Sequence, residues 1–521
     1  MDAPRPESHI RLAELMAALS LATDFGLGRP LEQELGVCLS ALELADRLGC
    51  SAEERSEVYY VALLAHVGCT AAAPYLASWV GGDEIHFQST GQVLGPASQP
   101  LEDLAFMVRR LADDTPLPER ARLVAKMLAG GKKRFELMAA NMCEGASVLA
   151  RRLYLPEEVA LALGQLTERW DGKGFPAGAA GEEISRALRI VRVAHDFLAV
   201  TRGRDREAAV EVLKRRRGRG YDPAIVDAAL TGPDALVRAA DRPDAWERVI
   251  DAEPQPVATI SSAGLASVAR AFGEFTDVKI GFLQGHSARV GGLAATAAEA
   301  LGCARAEVSA VRAAGCLHDV GRVAVPNGIW DKPGPLTGGE WERVRLHPYY
   351  TERVLARAGV LAPLALVAGS HHERLDGSGY HRGASAAQLS VEARLLAAAD
   401  AYDAMSHDRP YRRALRPEEA RAELAGMVGA GTLEKRTVDA VLGAAGAAAL
   451  EVRQGYPAGL SEREVEVLRL IAQGRTSKEI AAALVITEKT AGHHVEHIYA
   501  KVGVSTRVGA TLFAMRHDLI E

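Results

Sequence analysis

Apolar residues recur through most of this chain at the spacing of one face of an α-helix. The first clear stretch is Leu12, Leu15, Met16 and Leu19, which follow the i, i+3, i+4, i+7 pattern. Alanine and leucine dominate the sequence, and both residues favour helix over strand. The pattern is helical from about His9 onward, and the chain is predicted to be all-α.

The helical pattern contains an internal repeat. Three features of the first half return in the second half at one constant offset: Asp24 as Asp277, Leu48–Cys50 as Leu301–Cys303, and Gly68 as Gly321. The segment Glu168–Pro176 also returns, as Glu373–His381, but at a smaller offset. The first copy therefore carries extra residues, which we place in a Gly-, Pro- and Ser-rich loop around residues 81–118. Such self-similarity predicts two related helical domains in tandem.

The C-terminal residues carry a separate helical signature. Ser461 with Glu464 and Thr476 with Glu479 have the spacing of capping boxes, which begin helices. We predict four helices there, over residues 460–474, 476–484, 487–501 and 508–519. Stretches that contain Pro and Gly predict linkers at 251–264 and 451–459. The predicted domains therefore span residues 8–250, 265–450 and 460–521.

Composition and charge exclude several classes of protein. The 521 residues carry a net charge of −6, so no global basic field directs the chain to nucleic acid or to a membrane surface. The basic run 202–219 contains acidic residues and is interpreted as a solvated helix face. No uninterrupted apolar run reaches the ~18 residues of a spanning helix, and the N-terminus lacks a signal-peptide core. The six cysteines are dispersed, as in a reduced protein, so we expect a cytoplasmic protein without a membrane partner.

Seven side chains of the second half are of types that bind metal ions. They comprise five histidines and two aspartates at five separate places in the chain: His286, His318, Asp319, His347, His371, His372 and Asp400. Imidazole and carboxylate without thiolate suit iron, manganese and similar metals. Seven ligands exceed the about four that hold one zinc ion. They suffice for two ions roughly 3.5–4 Å apart, which form a centre that hydrolyses phosphoesters. The predicted cofactor is two divalent metal ions.

The order HDVG, HP, HHERLDGSGY, AADAYDAM and RPYRRAL resembles the HD-GYP branch of the HD-domain phosphohydrolases, over about residues 275–424. The resemblance implies a helical domain, a di- or trinuclear metal centre and hydrolysis of cyclic di-GMP. Three positions depart from it: the Pro of GYP is His381, the Lys after the HD motif is Arg322, and the Glu of trinuclear members is Phe282. Arg322 keeps the charge for contact with phosphate. Phe282 favours two metals over three.

Roles in catalysis follow from these positions. Asp319, next to His318, is expected to bridge the two ions. Arg322 is expected to stabilise the charge that develops on the phosphate. The residues expected to bind substrate are Arg322, Lys332, Asp376, Arg409 and Arg413.

The first copy lacks most of these ligands. Opposite the seven ligands, in order from His286, stand Gln33, Ala65, His66, Asn141, Leu166, Thr167 and His195. Since alanine and leucine cannot bind a metal, we expect a degenerate HD-like domain without metal ligands. Packing, dimerisation and the sensing of an unknown ligand all remain open as its role.

The fragments LSEREVEVLRLIAQG, SKEIAAAL and TEKTAGHHVEHIYAKVGVSTR resemble the LuxR-type helix-turn-helix over residues 460–519. The resemblance implies a four-helix domain whose third helix enters the major groove of double-stranded DNA. The expected DNA contacts are Lys478, Thr487, Lys489, Thr490, His493 and His494. Gly492 stands where many members have Lys or Arg, and a helical dimerisation tail is the alternative.

These features together predict a cyclic-dinucleotide phosphodiesterase that regulates transcription, working as a homodimer. Two alternatives remain. One is a transcription factor whose metal site senses a nucleotide with little or no turnover. The other is a phosphohydrolase of another nucleotide.

Overall fold

In the computed structural model of the protein, residues 10–90, 117–447, 456–517 and 519–520 are described. They form two compact units: one of residues 10–260 with 326–328, the other of residues 261–325 with 329 onward. The predicted domain start at residue 8, most of the predicted loop 81–118 and most of the linker 451–459 lie outside the described residues.

The prediction of an all-α chain is confirmed. The helices of the first half are α1 Leu12–Gly26, α2 Gln33–Arg47, α3 Ala52–Leu64, α4 Val67–Val80, α5 Glu84–Thr90, α6 Leu117–Arg152, α7 Glu157–Leu163, α8 Arg186–Gly203, α9 Arg206–Arg216, α10 Pro223–Leu230, α11 Pro233–Ala240 and α12 Ala245–Asp251. Strand β1, Ile10–Arg11, pairs antiparallel with β2, Thr259–Ile260. Helix α5 occupies part of the stretch predicted as a loop, so that prediction is wrong there.

Helices α1, α2, α3 and α8 pack together in the first unit. Helix α3 begins at a capping box of Ser51 and Glu54, and its residues 58–64 are all buried. The segment Ala52–Val80, which contains α3 and α4, is long and apolar enough to cross a membrane by length and composition. The sequence did not predict this segment, because its apolar residues do not form an uninterrupted run. In the fold, 67% of its most apolar 18-residue stretch is buried inside the protein.

The second half has the same helical character. Its helices are α13 Ser262–Lys279, α14 His286–Ala300, α15 Arg305–Leu317, α16 Asn327–Trp330, α17 Gly338–Arg345, α18 His347–Leu355, α19 Ala362–Gly369, α20 Val391–Ser406, α21 Pro417–Gly429 and α22 Lys435–Ala447. A 3-10 turn, Val320–Ala324, follows α15. Six of the seven predicted metal ligands lie at a helix end or within three residues of one, and Asp400 lies inside α20.

Two close approaches of the backbone place these helix ends together. Helices α14 and α15 cross at Gly291 and Gly315, where a Cβ on Gly315 would lie 2.5 Å from the Cα of Gly291. The turn Val320–Ala324 lies directly on α18, because a Cβ on Gly321 would lie 2.1 Å from the carbonyl oxygen of His347. Larger residues at these glycines would push the helices apart. The starts of α14 and α18 therefore come close to the HD motif at the end of α15.

The C-terminal domain consists of α23 Glu462–Ala472, α24 Ser477–Leu484, α25 Glu488–Val502 and α26 Arg507–Arg516. Both predicted capping boxes are confirmed, as is the cap at Thr487. The helices share a core that includes Leu468, Ile471 and Ile498. Within the same unit α26 contacts α13, where Arg270 donates a 2.7 Å hydrogen bond to the carbonyl of Met515.

Candidate metal centre

The seven predicted ligands lie in one pocket of the second half, with Asp319 in its middle. The Oδ2 atom of Asp319 lies 3.1 Å from Nε2 of His318 and 3.3 Å from Nε2 of His286. Its Oδ1 atom lies 3.5 Å from Nε2 of His347 and 3.5 Å from Nε2 of His371. The two oxygens of one carboxylate therefore face two different pairs of histidines.

Asp400 and His372 complete the two sides of the pocket. Asp400 Oδ1 lies 3.2 Å from Nε2 of His286, and Asp400 Oδ2 lies 3.7 Å from Nδ1 of His372. Ligand atoms cluster in two groups of three: His286, His318 and Asp400 form one, and His347, His371 and His372 form the other. The arrangement is that of two ligand sets which share Asp319.

Backbone acceptors fix the tautomers of three of these histidines. In each, Nδ1 lies 2.6 Å from a carbonyl oxygen, in the pairs His318–Gly315, His347–Val344 and His371–Ala368. Since a carbonyl only accepts, Nδ1 carries a proton and Nε2 is the nitrogen directed toward the pocket. His286 is held in the same way by the carboxylate of Asp403, 2.6 Å from its Nδ1. Proteins orient metal-binding imidazoles by such contacts.

The atoms that face the pocket lack hydrogen-bond partners among the described residues. This is so for Nε2 of His286 and of His318, for Oδ1 of Asp400 and for Oδ2 of Asp319, all of them buried. Buried polar atoms normally have a partner, and leaving several without one is costly. Two divalent cations would satisfy them together. The donor set therefore fits a binuclear metal centre.

The electrostatics of the pocket favour cations in it. Burial alone would raise the pKa of Asp319, but Arg322 and His318 hold it well below its usual range. Burial lowers the pKa of His347 and of His372 well below the usual value for histidine. The carboxylate is therefore charged at neutral pH, while these two imidazoles are neutral. Both are the forms that bind metal ions.

Two of the predicted substrate-binding arginines lie at this pocket. The Nε atom of Arg322 lies 2.8 Å from Oδ1 of Asp319, and its guanidinium lies over the ring of Trp330 at 5.1 Å. Arg409 stacks on Phe282 at 5.3 Å, and burial together with the nearby Arg322 cation lowers its pKa. Arg322 is thus fixed beside the ligand set, with Arg409 close to it.

The other three predicted substrate residues are engaged elsewhere. Lys332 pairs with Glu340 at 2.7 Å, and the 89% exposed Arg413 pairs with Asp408 at 2.9 Å. Asp376 accepts hydrogen bonds from the backbone N–H and the hydroxyl of Ser378, which closes a surface turn. The structure gives these side chains local partners, so it does not support their assignment to substrate binding.

A cleft of about 460 Å³ opens beside His372. Its wall includes Arg374, Tyr380, Met427 and Thr432. The ring of Tyr380 lies 4.8 Å from that of His372. The cleft offers an aromatic face and a cation next to the ligand set, which are features that suit a nucleotide.

The predicted DNA contacts lie at α24 and α25. The side chains of Lys478, Lys489, Thr490 and His493 are exposed, and His494 is half-buried. Thr487 caps α25 and accepts a 3.1 Å hydrogen bond from the backbone N–H of Thr490. One exposed face of α25 therefore presents a lysine, a threonine and a histidine near its N-terminus.

Comparison with known families gives two matches. Residues 136–225 and 275–433 match the HD domain, and residues 458–514 match the bacterial regulatory proteins of the luxR family. A 3'3'-cGAMP-specific phosphodiesterase 3 of Vibrio cholerae is 30% identical over 414 residues, which cover 79% of this chain and 90% of the relative. The chain belongs to the HD-domain phosphohydrolases of the HD-GYP type. It carries a LuxR-type DNA-binding domain at residues 458–514.

Other HD-GYP relatives match only part of the chain. A cyclic di-GMP phosphodiesterase of Thermotoga maritima is 38% identical over 28% of this chain and 40% of its own length. One of Pseudomonas aeruginosa is 44% identical over 20% of this chain and 26% of its own length. A crystal structure of a cyclic GMP-AMP-specific phosphodiesterase of Vibrio cholerae aligns with 84% of this chain and 98% of its own. The TM-score is 0.57 and the identity 26%.

Sequence reasoning missed two residues of this HD-GYP domain that support the ligands. Asp403 accepts from Nδ1 of His286 and pairs with Arg289 at 2.7 Å. Burial alone would raise the pKa of Asp403, but Arg289 and His286 lower it, so the carboxylate is charged. The spacing of Asp400 and Asp403 could have indicated this role. Residues three apart on a helix share a face, so Asp403 points to the same side as the ligand Asp400.

Proposed function

We propose that the protein hydrolyses a phosphodiester bond of a cyclic dinucleotide with two divalent metal ions. The observation that carries this proposal is the position of Asp319, whose two carboxylate oxygens face two separate sets of inward-pointing ligand atoms. A shared carboxylate between two cations is the arrangement of binuclear phosphoesterases. The family to which the chain belongs supports the reaction class.

The residues have distinct roles in this proposal. His286, His318 and Asp400 would hold one ion, His347, His371 and His372 would hold the other, and Asp319 would contribute to both. When bound, a pair of divalent ions activates water as a nucleophile and stabilises negative charge on phosphate oxygens. Because Nδ1 of four of these histidines is already engaged, their Nε2 atoms are oriented before the metal arrives.

Arg322 supplies a fixed positive charge beside the reacting phosphate. Its ion pair with Asp319 and its stacking on Trp330 hold the guanidinium in place. A cation that is oriented before the reaction stabilises developing charge without the cost of reorganisation. Arg409 adds a second cation for the other phosphate of the substrate.

Two nucleotides are the leading substrates. The relative that spans 79% of the chain is named for 3'3'-cGAMP, whereas two relatives that match a shorter part of the chain are named for cyclic di-GMP. Both molecules present two phosphates and purine bases, which the arginines and the aromatic wall of the cleft would contact. We propose 3'3'-cGAMP first, since the match to that relative extends over both halves.

The C-terminal domain binds double-stranded DNA and places the enzyme in transcriptional regulation. We propose a cytoplasmic homodimer, because a DNA-binding domain works where the chromosome is and because helix-turn-helix proteins commonly read paired half-sites. In this proposal α25 enters the major groove with Lys489, Thr490 and His493.

A turnover assay on the full chain tests the proposal. The protein is loaded with Mn²⁺ and given 3'3'-cGAMP, cyclic di-GMP and a linear dinucleotide, with products separated by chromatography. We expect a cyclic dinucleotide to be opened, with a loss on the order of 10²–10³-fold in Asp319→Asn. Asp408→Asn, an exposed aspartate of the same half, is the matched control. Tight binding without turnover would favour a sensor, and neither binding nor turnover would contradict the proposal.

A further inference from the structure

Three side chains of metal-binding type lie together in the first half of the chain. They are Glu34 at the start of α2, His66 between α3 and α4, and His195 in α8. Their ligand atoms all lie within 4.8 Å of one another, and the two imidazole rings are 4.4 Å apart. The side chains are 2%, 16% and 12% exposed, so the cluster is nearly enclosed.

His195 is oriented as a metal ligand would be. Its Nδ1 lies 2.9 Å from Oδ1 of Asp196, whose other oxygen accepts a 2.9 Å hydrogen bond from the hydroxyl of Tyr221. Burial alone would raise the pKa of Asp196, but the His195 contact and Arg216 lower it. A charged carboxylate behind Nδ1 leaves Nε2 as the ligand atom. That Nε2 is buried and lacks a hydrogen-bond partner among the described residues.

Glu34 and His66 lie nearly as close as neighbouring ligands on one ion. Nδ1 of His66 lies 2.9 Å from Oε2 of Glu34, which is a hydrogen-bond distance. Two atoms bound tetrahedrally at about 2.1 Å lie roughly 3.4 Å apart, so the pair would open by only about 0.5 Å around an ion. Burial lowers the pKa of His66 to about 4, so its imidazole is neutral at physiological pH. Neutral imidazole is the form that binds metal.

Arg29 places a positive charge beside Glu34, and the metal pocket of the second half has the same feature. Arg29 pairs with Oε1 of Glu34, which leaves Oε2 toward the histidines. In the second half Arg322 pairs with Asp319 in the same manner. An arginine on one oxygen of a buried carboxylate is thus common to both pockets.

The internal repeat places the cluster where the catalytic centre lies in the second half. His66 stands opposite Asp319, and His195 stands opposite Asp400. Glu34 follows Gln33, which stands opposite His286 and likewise begins a helix. Residues Leu166 and Thr167 occupy the positions of His371 and His372, so the second ligand set is missing. Three ligands remain, which is the number for one ion.

We propose that Glu34, His66 and His195 bind a single divalent transition-metal ion. Two histidines and one carboxylate suit Fe²⁺, Mn²⁺, Co²⁺ or Zn²⁺, and three protein ligands leave positions open for water or a further ligand. This proposal differs from the expectation from the sequence, which was a first half without metal ligands. It does not depend on the proposed function, because none of its ligands belongs to the catalytic pocket.

Counting bound metal in the full chain tests this site. The protein is stripped with a chelator, loaded with Zn²⁺, desalted and analysed by plasma mass spectrometry. We expect the double variant His66→Ala/His195→Ala to hold one Zn²⁺ fewer per chain than the wild type. His86→Ala removes an exposed histidine of the same half and is expected to keep the wild-type count.

A second variant guards against loss of folding. His318→Ala/His371→Ala breaks both ligand sets of the catalytic pocket, and we expect this variant to keep one Zn²⁺ per chain. Adding Glu34→Gln to the same variant should remove that remaining Zn²⁺. An equal count in the wild type and in a folded His66→Ala/His195→Ala variant would overturn the proposal. So would the absence of Zn²⁺ from His318→Ala/His371→Ala. The partners of Glu34 would then be the Arg29 cation and a hydrogen bond from neutral His66.

Discussion

Nε2 of His347 lies 3.1 Å from Nε2 of His371, although both rings already donate through Nδ1 to backbone carbonyls. Two lone pairs at this distance repel each other unless a cation lies between or beside them. The pair therefore marks the second ligand set of the catalytic pocket more directly than any single histidine does.

Removing His347 should empty that set. In His347→Ala we expect one metal ion fewer per chain and a loss of phosphodiesterase activity on the order of 10²–10³-fold, since one of the two ions is needed to stabilise the phosphate charge. Metal analysis and turnover measured on the same preparation check this. His493→Ala removes an exposed histidine of the C-terminal domain and should leave both values unchanged; a fall in metal content in both variants would contradict the assignment.

Asp403 should matter for metal affinity although it is not a ligand. Asp403→Asn removes the charged acceptor behind Nδ1 of His286, and we expect metal affinity to fall about 10–100-fold. Competition with a chelator of known affinity measures the change. Asp408→Asn alters an exposed aspartate five residues further along and is expected to have no effect. Equal affinities in all three proteins would show that Asp403 does not position His286.

The two arginines after α20 should differ in their effect on substrate. Arg409 lies against Phe282 near Arg322, whereas Arg413 is 89% exposed and paired with Asp408. We expect KM for the cyclic dinucleotide to rise about tenfold in Arg409→Ala, which corresponds to one charge-assisted contact. KM in Arg413→Ala should stay within about twofold, as for an ordinary surface substitution. Steady-state kinetics measure both KM values. A larger rise of KM in Arg413→Ala than in Arg409→Ala would place the substrate on the Arg413 side of this segment.

Lys489 should contribute to DNA binding and not to hydrolysis. In Lys489→Ala we expect weaker promoter binding and a salt dependence with a slope smaller by about 1, as for the loss of one phosphate contact. Mobility shifts at several salt concentrations measure both. Lys435→Ala, an exposed lysine paired with Asp439 outside the DNA-binding domain, is the control. Unchanged binding by Lys489→Ala would mean that α25 does not enter the groove as placed.

Glu464 should make the C-terminal domain sensitive to acid. Burial alone would raise the pKa of Glu464, but Lys501 at 2.7 Å and the capping contacts with Ser461 lower it to about 2. A carboxyl whose folded pKa lies below its unfolded value of 4.5 stabilises the fold above that pH and loses this effect as pH falls toward 2.

Glu464→Gln keeps the cap but removes the charge, so we expect a destabilisation of about 1 kcal/mol at pH 7. The difference from wild type should shrink as the pH falls from 7 to 3, and thermal unfolding over this range measures it. Lys501→Met removes the cation that pairs with Glu464 and is the comparison variant. If its difference from wild type is the same at every pH, the ion pair is not the source of the acid sensitivity.

The sequence predicted the parts of this protein that depend on local pattern. Capping boxes at Ser461 and Thr476 lie within four residues of their partners, so they are visible without a fold. The metal ligands were predictable because each occurs in a short sequence motif. The fold was needed to show that the two oxygens of Asp319 face different histidines.

Other features depend on which way a side chain points, which the sequence does not specify. Arg409 and Arg413 lie four residues apart in an irregular segment after α20, so no helical periodicity separates the inward from the outward one. Glu34 was missed because the repeat aligned its neighbour Gln33 with His286. Its meeting with His66 and His195 depends on the packing of α2 against α8.

An anomalous difference map from crystals of the Mn²⁺-loaded protein would locate the metal ions themselves. We expect two peaks in the catalytic pocket, one on each side of the carboxylate of Asp319. The first would lie among His286, His318 and Asp400, and the second among His347, His371 and His372. A single peak, or density that does not touch Asp319, would contradict the binuclear centre.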